Sequence, residues 1–154
     1  MTPEYEQVWL TEVETPETFS SNVVLWVDDR PQNNAPLVRQ IHTQIPALNI
    51  LRIRSTHSAA LWLEQFGWLF ARISRQIKIV SDMERVEERG TDPIAGITLA
   101  NLLRNSGFTT QVLIYCTNLE HARTNAQRAN ASQEQIELIT AQPQRVREFC
   151  DLPE

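Results

Sequence analysis

The sequence predicts an α/β fold built on a doubly wound, five-stranded parallel sheet. Five short, apolar, β-rich segments alternate along the chain with segments whose apolar residues recur at helical spacing. Most of the helix-like segments begin at a capping residue or a proline. The chain has 154 residues, of which 42% are apolar, which suits one domain with a core covered by helices on both faces of a sheet.

The first strand and the first helix follow an N-terminal segment rich in Glu, Thr and Pro. Val23 to Val27 is an unbroken apolar run, as expected of a strand that is buried on both faces. Asn34 can cap the next helix, which has Pro36 in its first turn and apolar residues at helical spacing after it. Pro46 should end this helix or kink it.

The second strand and helix have a more polar character. Asn49 to Arg54 alternates in part between apolar and charged residues, which is typical of a strand at a sheet edge. Ser55, Thr56 or Ser58 can start the following helix, whose apolar residues share one face. Gly67 weakens the continuation of that helix.

The third strand is a short β-branched run, Ile77 to Val80, and the carboxylate Asp82 follows it. A charged loop, Glu84 to Arg89, comes next and should border the site that contains Asp82. Asp92 and the proline after it indicate the start of the third helix, and Gly107 is a favourable stop for it.

The last two strand–helix units complete the alternation. Gln111 to Cys116 is the most apolar segment after the first strand, and Thr117 or Asn118 can cap the helix that follows. Ile136 to Thr140 is the predicted fifth strand and carries a glutamate, which again fits an edge. The last helix is short and begins at Gln142 and the proline after it.

The placement of polar strands predicts the strand order and the site. The second and fifth strands fit the edges, which gives the order 2-1-3-4-5 of the flavodoxin-like (βα)5 folds. In this order, ligands bind at the carboxyl ends of strands one and three, where the strand order reverses. Asp28 and Asp29 end the first of these strands, and Asp82 ends the other. A cation, a set of hydrogen bonds or exposure at the strand ends could offset their repulsion.

Composition excludes several function classes. The net charge of −5 argues against a non-specific binder of nucleic acid or anionic membranes. Four glycines leave no Walker loop or GxGxxG, and the three histidines lack zinc-ligand spacing. No signal peptide is recognisable, and the apolar stretch from Trp62 to Phe70 is too short to cross a bilayer. Two cysteines, Cys116 and Cys150, suit a reducing compartment, so we expect a cytoplasmic protein.

Four segments together resemble the response-regulator receiver domain of two-component signalling. They are VLWVDD, IKIVSDM, VLIYCT and ITAQP, in this order and each at a predicted strand end. The resemblance spans about residues 22 to 150, so residues 1–20 are expected to form an arm or extra element and residues 21–154 the receiver-like domain. It implies that Asp82 is a phosphoacceptor. It also implies a Mg²⁺ site formed by Asp28, Asp29, Asp82 and the backbone carbonyl of Met83, oxygen ligands of the kind that Mg²⁺ prefers.

The sequence departs from the receiver pattern in two places that matter for phosphotransfer. Receivers have a lysine before the proline that follows strand five, whereas this chain has Gln142, which offers a dipole in place of a full charge. Receivers place a hydroxyl at the end of strand four, where a strict register gives Cys116 and a shift by one gives Thr117. The resulting prediction is a divergent pseudo-receiver that acts through protein–protein interaction.

Two alternatives remain beside the pseudo-receiver. The first is a functional, Mg²⁺-dependent phosphoacceptor switch at Asp82. The second is a Toll/interleukin-receptor-like NAD hydrolase, which has a similar layout and would use a helical glutamate such as Glu64. For the preferred hypothesis we expect no enzymatic activity beyond accepting a phosphoryl group. We also expect a signalling protein as partner, such as a histidine kinase or phosphotransfer protein, and neither nucleic acid nor membrane.

Overall fold

The computed structural model describes residues 23–46, 48–72, 77–87 and 90–151, with the backbone alone for residues 31 and 68–72. The predicted N-terminal arm, residues 1–20, lies outside the described residues. A short 3-10 helix, Pro31–Asn34, precedes α1. The strands are β1 Val23–Val27, β2 Asn49–Ile53, β3 Ile77–Asp82, β4 Arg85–Glu87, β5 Gly90–Asp92, β6 Val112–Tyr115 and β7 Ile139–Thr140. The helices are α1 Ala35–Gln44, α2 Thr56–Arg72, α3 Ala95–Asn105, α4 Leu119–Arg128, α5 Gln133–Glu137 and α6 Pro143–Asp151.

Five strands form one parallel sheet in the order β2-β1-β3-β6-β7. Because β6 and β7 are the fourth and fifth predicted strands, this confirms the flavodoxin-like order 2-1-3-4-5. The register pairs Val27 with Ile53 and with Ser81, so the carboxyl ends of β1 and β3 lie side by side. The residues that follow these two strands therefore meet at one edge of the sheet.

The core has two parts, one on each face of the sheet. Alternate residues of β1 divide between them: Leu25 packs on the face covered by α2, α3 and α4, and Trp26 on the face covered by α1 and α6. All five residues of β1 are buried, as the continuous apolar run predicts. Lys78 also reaches the second face, where its ammonium group donates to the carbonyl of Phe149 at 2.8 Å and so ties α6 to β3.

The predicted fifth strand is wrong in its first half. Residues that were expected to be extended form the short helix α5, and the strand is reduced to Ile139–Thr140. Ser132 caps this helix, because its side chain accepts from the backbone N–H of Gln135. The Gln135 side chain then donates to the carbonyl of Val112 at 2.9 Å, which holds the helix against β6.

The charged loop predicted after β3 is instead structured in part. Strands β4 and β5 pair antiparallel, with Arg85 opposite Asp92 and Glu87 opposite Gly90. Asp92 was expected to start the third helix, but α3 begins at Ala95. The Asp92 side chain accepts from the backbone N–H of Ile94 and from the Thr98 hydroxyl, so it stabilises the turn before the helix. We refer to β4 and β5 together as the β4–β5 pair.

The predicted side-chain caps are present at the starts of α2 and α4 and absent at the start of α1. Asn118 caps α4 by accepting from the N–H of His121, and the Ser55 hydroxyl accepts from the N–H of Ser58 at the start of α2. Asn34 precedes α1 but makes no capping bond with its side chain, which is used at the site described below. Across the described ranges, no helix is both long enough and apolar enough to span a membrane.

Candidate functional site

Three carboxylates meet at the carboxyl ends of β1 and β3. Asp28, Asp29 and Asp82, which we call the acidic cluster, each place an oxygen within 4.8 Å of the others. Asp28 is 5% exposed, while Asp29 and Asp82 are partly exposed. The parallel register of β1 and β3 brings these side chains together, as the sequence predicts.

Local hydrogen bonds hold the first two carboxylates. One oxygen of Asp28 accepts from the backbone N–H of Arg30 at 2.8 Å, and the other accepts from the Asn34 side chain at 2.5 Å. Oδ2 of Asp29 accepts from the backbone N–H of Val86 at 3.0 Å. The 3-10 turn before α1 and the β4–β5 pair therefore orient these two groups.

A buried arginine, Arg85, lies against the acidic cluster. Its side chain is fully buried, and Nη1 is 2.5 Å from Oδ1 of Asp82, whose side chain is 17% exposed. Nη1 also donates to the Ser81 hydroxyl at 3.0 Å and to the carbonyl of Val27 at 3.3 Å. The guanidinium thus joins the ends of the same two strands that carry the three carboxylates.

The other nitrogens of Arg85 bind Thr56, at the start of α2, and Glu87, at the end of β4. Nη2 donates to the Thr56 hydroxyl at 2.6 Å, and Nε donates to Oε1 of Glu87 at 2.9 Å. The same Glu87 oxygen accepts from the hydroxyl and the backbone N–H of Thr56. Satisfying all three nitrogens in this way offsets the desolvation of a buried cation.

Sequence reasoning missed Arg85. It was assigned to a charged loop, because a residue three positions after a strand end in a run of charged residues is ordinarily solvated. A short signal was nevertheless present: Arg85, Val86 and Glu87 alternate charged and apolar residues, as a paired strand does. Such alternation over three residues is too short to distinguish a strand from a loop.

Burial, with a smaller contribution from neighbouring carboxylates, raises the pKa of Asp28 and of Asp82. Burial is the largest cause that raises the pKa of Asp82 to about 8; the nearby Asp28 and Asp29 add to it, and Arg85 opposes it. Burial also raises the pKa of Asp28. Glu87 behaves differently: burial opposes its ionisation, but the hydrogen bonds from Thr56 and Arg85 outweigh that effect and its pKa is lowered. The acidic cluster thus has a tendency to take up positive charge, as a proton or a cation.

The donor set of the acidic cluster fits a hard divalent cation such as Mg²⁺. Carboxylate oxygens are the ligands that this ion prefers, and Oδ1 of Asp29 makes no hydrogen bond among the described residues. The carbonyl of Met83, which the receiver resemblance adds to the set, accepts from the N–H of Gly96 at 3.2 Å and keeps a second lone pair. Arg85 already engages one oxygen of Asp82, so an ion there would share this carboxylate with a guanidinium.

The remaining predicted site residues lie apart from this network. Strand β6 ends at Tyr115, and the next residue, Cys116, directs its sulfur to the carbonyl of Thr140 at 3.5 Å. Thr117 and Gln142 are both exposed. In the described part of the chain, no hydrogen bond joins Cys116, Thr117 or Gln142 to the carboxylates of the acidic cluster.

A polar cavity of about 580 Å³ adjoins the acidic cluster between the beginnings of α1 and α6. Asn34, whose amide binds Asp28, forms part of its wall. Gln142 and Tyr115 also line it, as does Arg147, whose guanidinium is bonded to the side-chain oxygens of two glutamines. Gln142 therefore faces this cavity.

Comparison with known proteins identifies similarity in structure alone. No family model matches the chain, and no curated protein does. A solved structure of the two-component response regulator RcsB–DNA complex matches with a TM-score of 0.51 at 14% identity, covering 73% of this chain and 50% of that chain. A second solved structure is that of the RcsB response regulator of Salmonella typhimurium, described for its conformational dynamism in DNA interaction. It matches with a TM-score of 0.47 at 13% identity, covering 76% of this chain and 65% of that chain.

These comparisons correct the predicted partners. The sequence predicts a histidine kinase or phosphotransfer protein as partner and excludes nucleic acid. The exclusion of nucleic acid is wrong, because a structure with this fold is a response regulator in complex with DNA. For a chain of this fold, a net charge of −5 is therefore not sufficient ground to exclude nucleic acid as a partner. The chain spans half the length of that regulator, and what the two share is the receiver-like α/β fold.

Proposed function

We propose that the chain is a receiver-like signalling domain of the pseudo-receiver kind, which acts through contacts with another protein and not through phosphorylation. The observation that carries this proposal is the ion pair between Arg85 and Asp82. In the phosphoacceptor role, Asp82 must present a carboxylate oxygen to phosphorus. Here Oδ1 is already bound by a buried guanidinium that is fixed from several sides.

The missing lysine supports the same proposal. A cation opposite the acidic cluster would have to stabilise the negative charge of a phosphoryl group, and this is most effective when the cation is fixed beforehand. Gln142 supplies no charge and is exposed next to the polar cavity. Arg85 supplies a charge, but it is bonded to the acceptor itself and to Glu87. The positive charge of the site therefore stabilises the unmodified state.

Incubation of the full chain with acetyl phosphate and Mg²⁺ tests this proposal. We expect the intact mass to show no added phosphoryl group, and Asp82→Asn to behave as the unchanged protein does. A phosphoryl group that is cleaved by alkali and by hydroxylamine, as an acyl phosphate is, and that is present in the unchanged protein but absent from Asp82→Asn would contradict the pseudo-receiver proposal.

The acidic cluster favours a second candidate, a Mg²⁺-dependent phosphoacceptor switch at Asp82. Asp28, Asp29 and Asp82, with the carbonyl of Met83, would hold the ion, which neutralises charge on a transferring phosphoryl group when it is bound. The convergence of the three carboxylates is the observation in favour of this candidate. The same phosphorylation experiment decides between the two, since a phosphoacceptor gives the labile adduct and a pseudo-receiver does not.

The NAD hydrolase alternative gains no support from the geometry. Glu64, on which it depends, is exposed on α2. The polar cavity described above is lined by other residues, and the carboxylates of the acidic cluster belong to β1 and β3. Release of nicotinamide from NAD, abolished by Glu64→Ala, would be needed to reinstate it.

A further inference from the structure

Two contacts hold the β4–β5 pair against the acidic cluster, and both use its carboxylates as acceptors. The Arg85 guanidinium donates to Oδ1 of Asp82, and the Val86 backbone N–H donates to Oδ2 of Asp29. These donors are consecutive residues at the start of β4. The pair thus lies across the acidic cluster with one cation and one amide directed at it.

A divalent cation in the acidic cluster would compete with both contacts. Mg²⁺ requires oxygen ligands at roughly 2.0–2.1 Å in a near-octahedral arrangement. It would bind the same two carboxylates, Asp82 and Asp29, that Arg85 and Val86 use as acceptors, and would so weaken both contacts. It would also repel the guanidinium directly, in an environment where charges are poorly screened.

Arg85 keeps other hydrogen-bond partners if a cation displaces it from Asp82. Its contacts with Thr56 and Glu87 involve Nη2 and Nε, which do not bind Asp82. If Nη1 leaves Asp82, the guanidinium therefore keeps the carboxylate of Glu87, which lies on β4 itself, and the hydroxyl of Thr56 at the start of α2. The β4–β5 pair can move away from the acidic cluster without leaving an unpaired charge in the core.

We infer that the β4–β5 pair is a strap that competes with a divalent cation for Asp82 and Asp29, so that Arg85 sets the cation affinity of the site. This inference concerns regulation of the site on which the proposed function depends. With the strap closed, Arg85 serves as the internal cation of the cluster. With a divalent cation bound, the strap opens at its β4 end and exposes a changed surface to a partner.

Calorimetric titration of the full chain with Mg²⁺ tests this inference. We compare the unchanged protein, Arg85→Gln, and Arg30→Gln as a matched control that removes the same charge from an exposed position two residues from Asp28. Loss of a charge-assisted hydrogen bond to the shared carboxylate should tighten Mg²⁺ binding about tenfold or more in Arg85→Gln. The control should change the affinity by about twofold at most, as expected of an exposed, screened charge. Equal affinities for the two variants, or an absence of binding in all three proteins, would overturn the inference.

A second measurement uses only the unchanged protein, in case Arg85→Gln does not fold. Amide hydrogen exchange at Val86, followed by NMR, should become faster when Mg²⁺ saturates the site, because the ion then draws negative charge from the Asp29 carboxylate that accepts from that N–H. If Mg²⁺ saturates the site and the exchange rate of the Val86 amide does not change, the inferred strap is contradicted. These results are separable from the proposed function. Phosphorylation of Asp82 would contradict the pseudo-receiver proposal without affecting the inferred competition. An Mg²⁺ affinity that is the same with and without Arg85 would contradict the competition alone.

Discussion

Nη1 of Arg85 lies 2.5 Å from Oδ1 of Asp82, and the arginine side chain is completely buried while the aspartate is 17% exposed. A buried ion pair is stable only when the remaining donors of the cation also find acceptors. Here those acceptors come from β1, β3, α2, β4 and the start of α3. The ion pair therefore depends on groups that are far apart along the chain, and each of them can be tested separately.

Thr56→Val should destabilise the protein. The Thr56 hydroxyl accepts from Arg85 and donates to Glu87, so its removal leaves a buried donor and a carboxylate each short of a partner. Leaving such groups unsatisfied costs about 1–3 kcal/mol. Urea denaturation measures this loss, with Thr56→Ser as the control that keeps the hydroxyl. Thr56→Ser removes only the methyl group, so a loss in Thr56→Val no larger than that in Thr56→Ser would contradict the assignment to the hydrogen bonds.

The stability of the metal-free protein should depend on pH through Asp82. Its pKa is about 8 in the folded state against 3.8 for an ordinary aspartate, so between these values the folded state retains a proton that the unfolded state has lost. Its contribution to stability is therefore largest at low pH and declines as the pH rises, by at most about 1.4 kcal/mol per pH unit. Asp82→Asn cannot titrate, so in a chelating buffer its stability relative to the unchanged protein should rise from about pH 5 to about pH 8. Parallel stability curves for the two proteins would refute this assignment.

Gly96→Ala should be costly because of a contact with the backbone of the site. A Cβ atom at Gly96 would lie 2.8 Å from the carbonyl oxygen of Asp82 and 2.9 Å from the Ile114 side chain. Overpacking of this kind costs about 1–3 kcal/mol, and a strand carbonyl cannot move away as a side chain can. Gly67→Ala is the comparison, since its Cβ would meet only the ring of Phe108, which is partly exposed. Thermal unfolding should show a larger loss for Gly96→Ala; a larger loss for Gly67→Ala would contradict the argument.

Gln142→Lys should fail to convert the chain into a phosphoacceptor. The substitution restores an ammonium group at the lysine position of receivers, but Arg85 still binds Oδ1 of Asp82. The measurement is again incorporation of a phosphoryl group from acetyl phosphate, detected by intact mass. Incorporation by Gln142→Lys alone would show that the missing lysine, and not Arg85, keeps the site inactive. The combination with Arg85→Gln provides the comparison in which neither obstacle remains.

The sheet could be predicted from the sequence because its signals are local and repeated. The apolar run from Val23 to Val27 and the polar character of Asn49 to Arg54 are sufficient to place one strand in the centre and the other at the edge. The fifth strand was predicted too long, since Ile136 and Leu138 fit either a strand or a helix. A single capping hydroxyl, that of Ser132, decides in favour of helix for the first part.

The acidic cluster followed from the fold, whereas the Arg85 network did not. Asp28, Asp29 and Asp82 were expected to meet because parallel strands place their carboxyl ends at one edge. Among the explanations for their proximity, the structure provides hydrogen bonds and a cation from the chain itself. That cation is held by Glu87, two residues away, and by Thr56 and the carbonyl of Val27, which are distant from Arg85 along the chain. A backbone carbonyl carries no sequence signal. Side-chain partners of this kind become visible only in three dimensions.

The reach of Arg85 also has a consequence for how the chain folds. Its acceptors extend from Val27 to Ala95, so the guanidinium cannot find them all until β1, β3, α2 and α3 have docked. Contacts between distant segments carry a loop-closure cost and tend to form late. We expect the ion pair with Asp82 to be among the last native contacts to form and among the first to be lost. The exchange rate of the Val86 amide, which bonds to Asp29 beside that pair, would then follow the final step of folding separately from the collapse of the sheet.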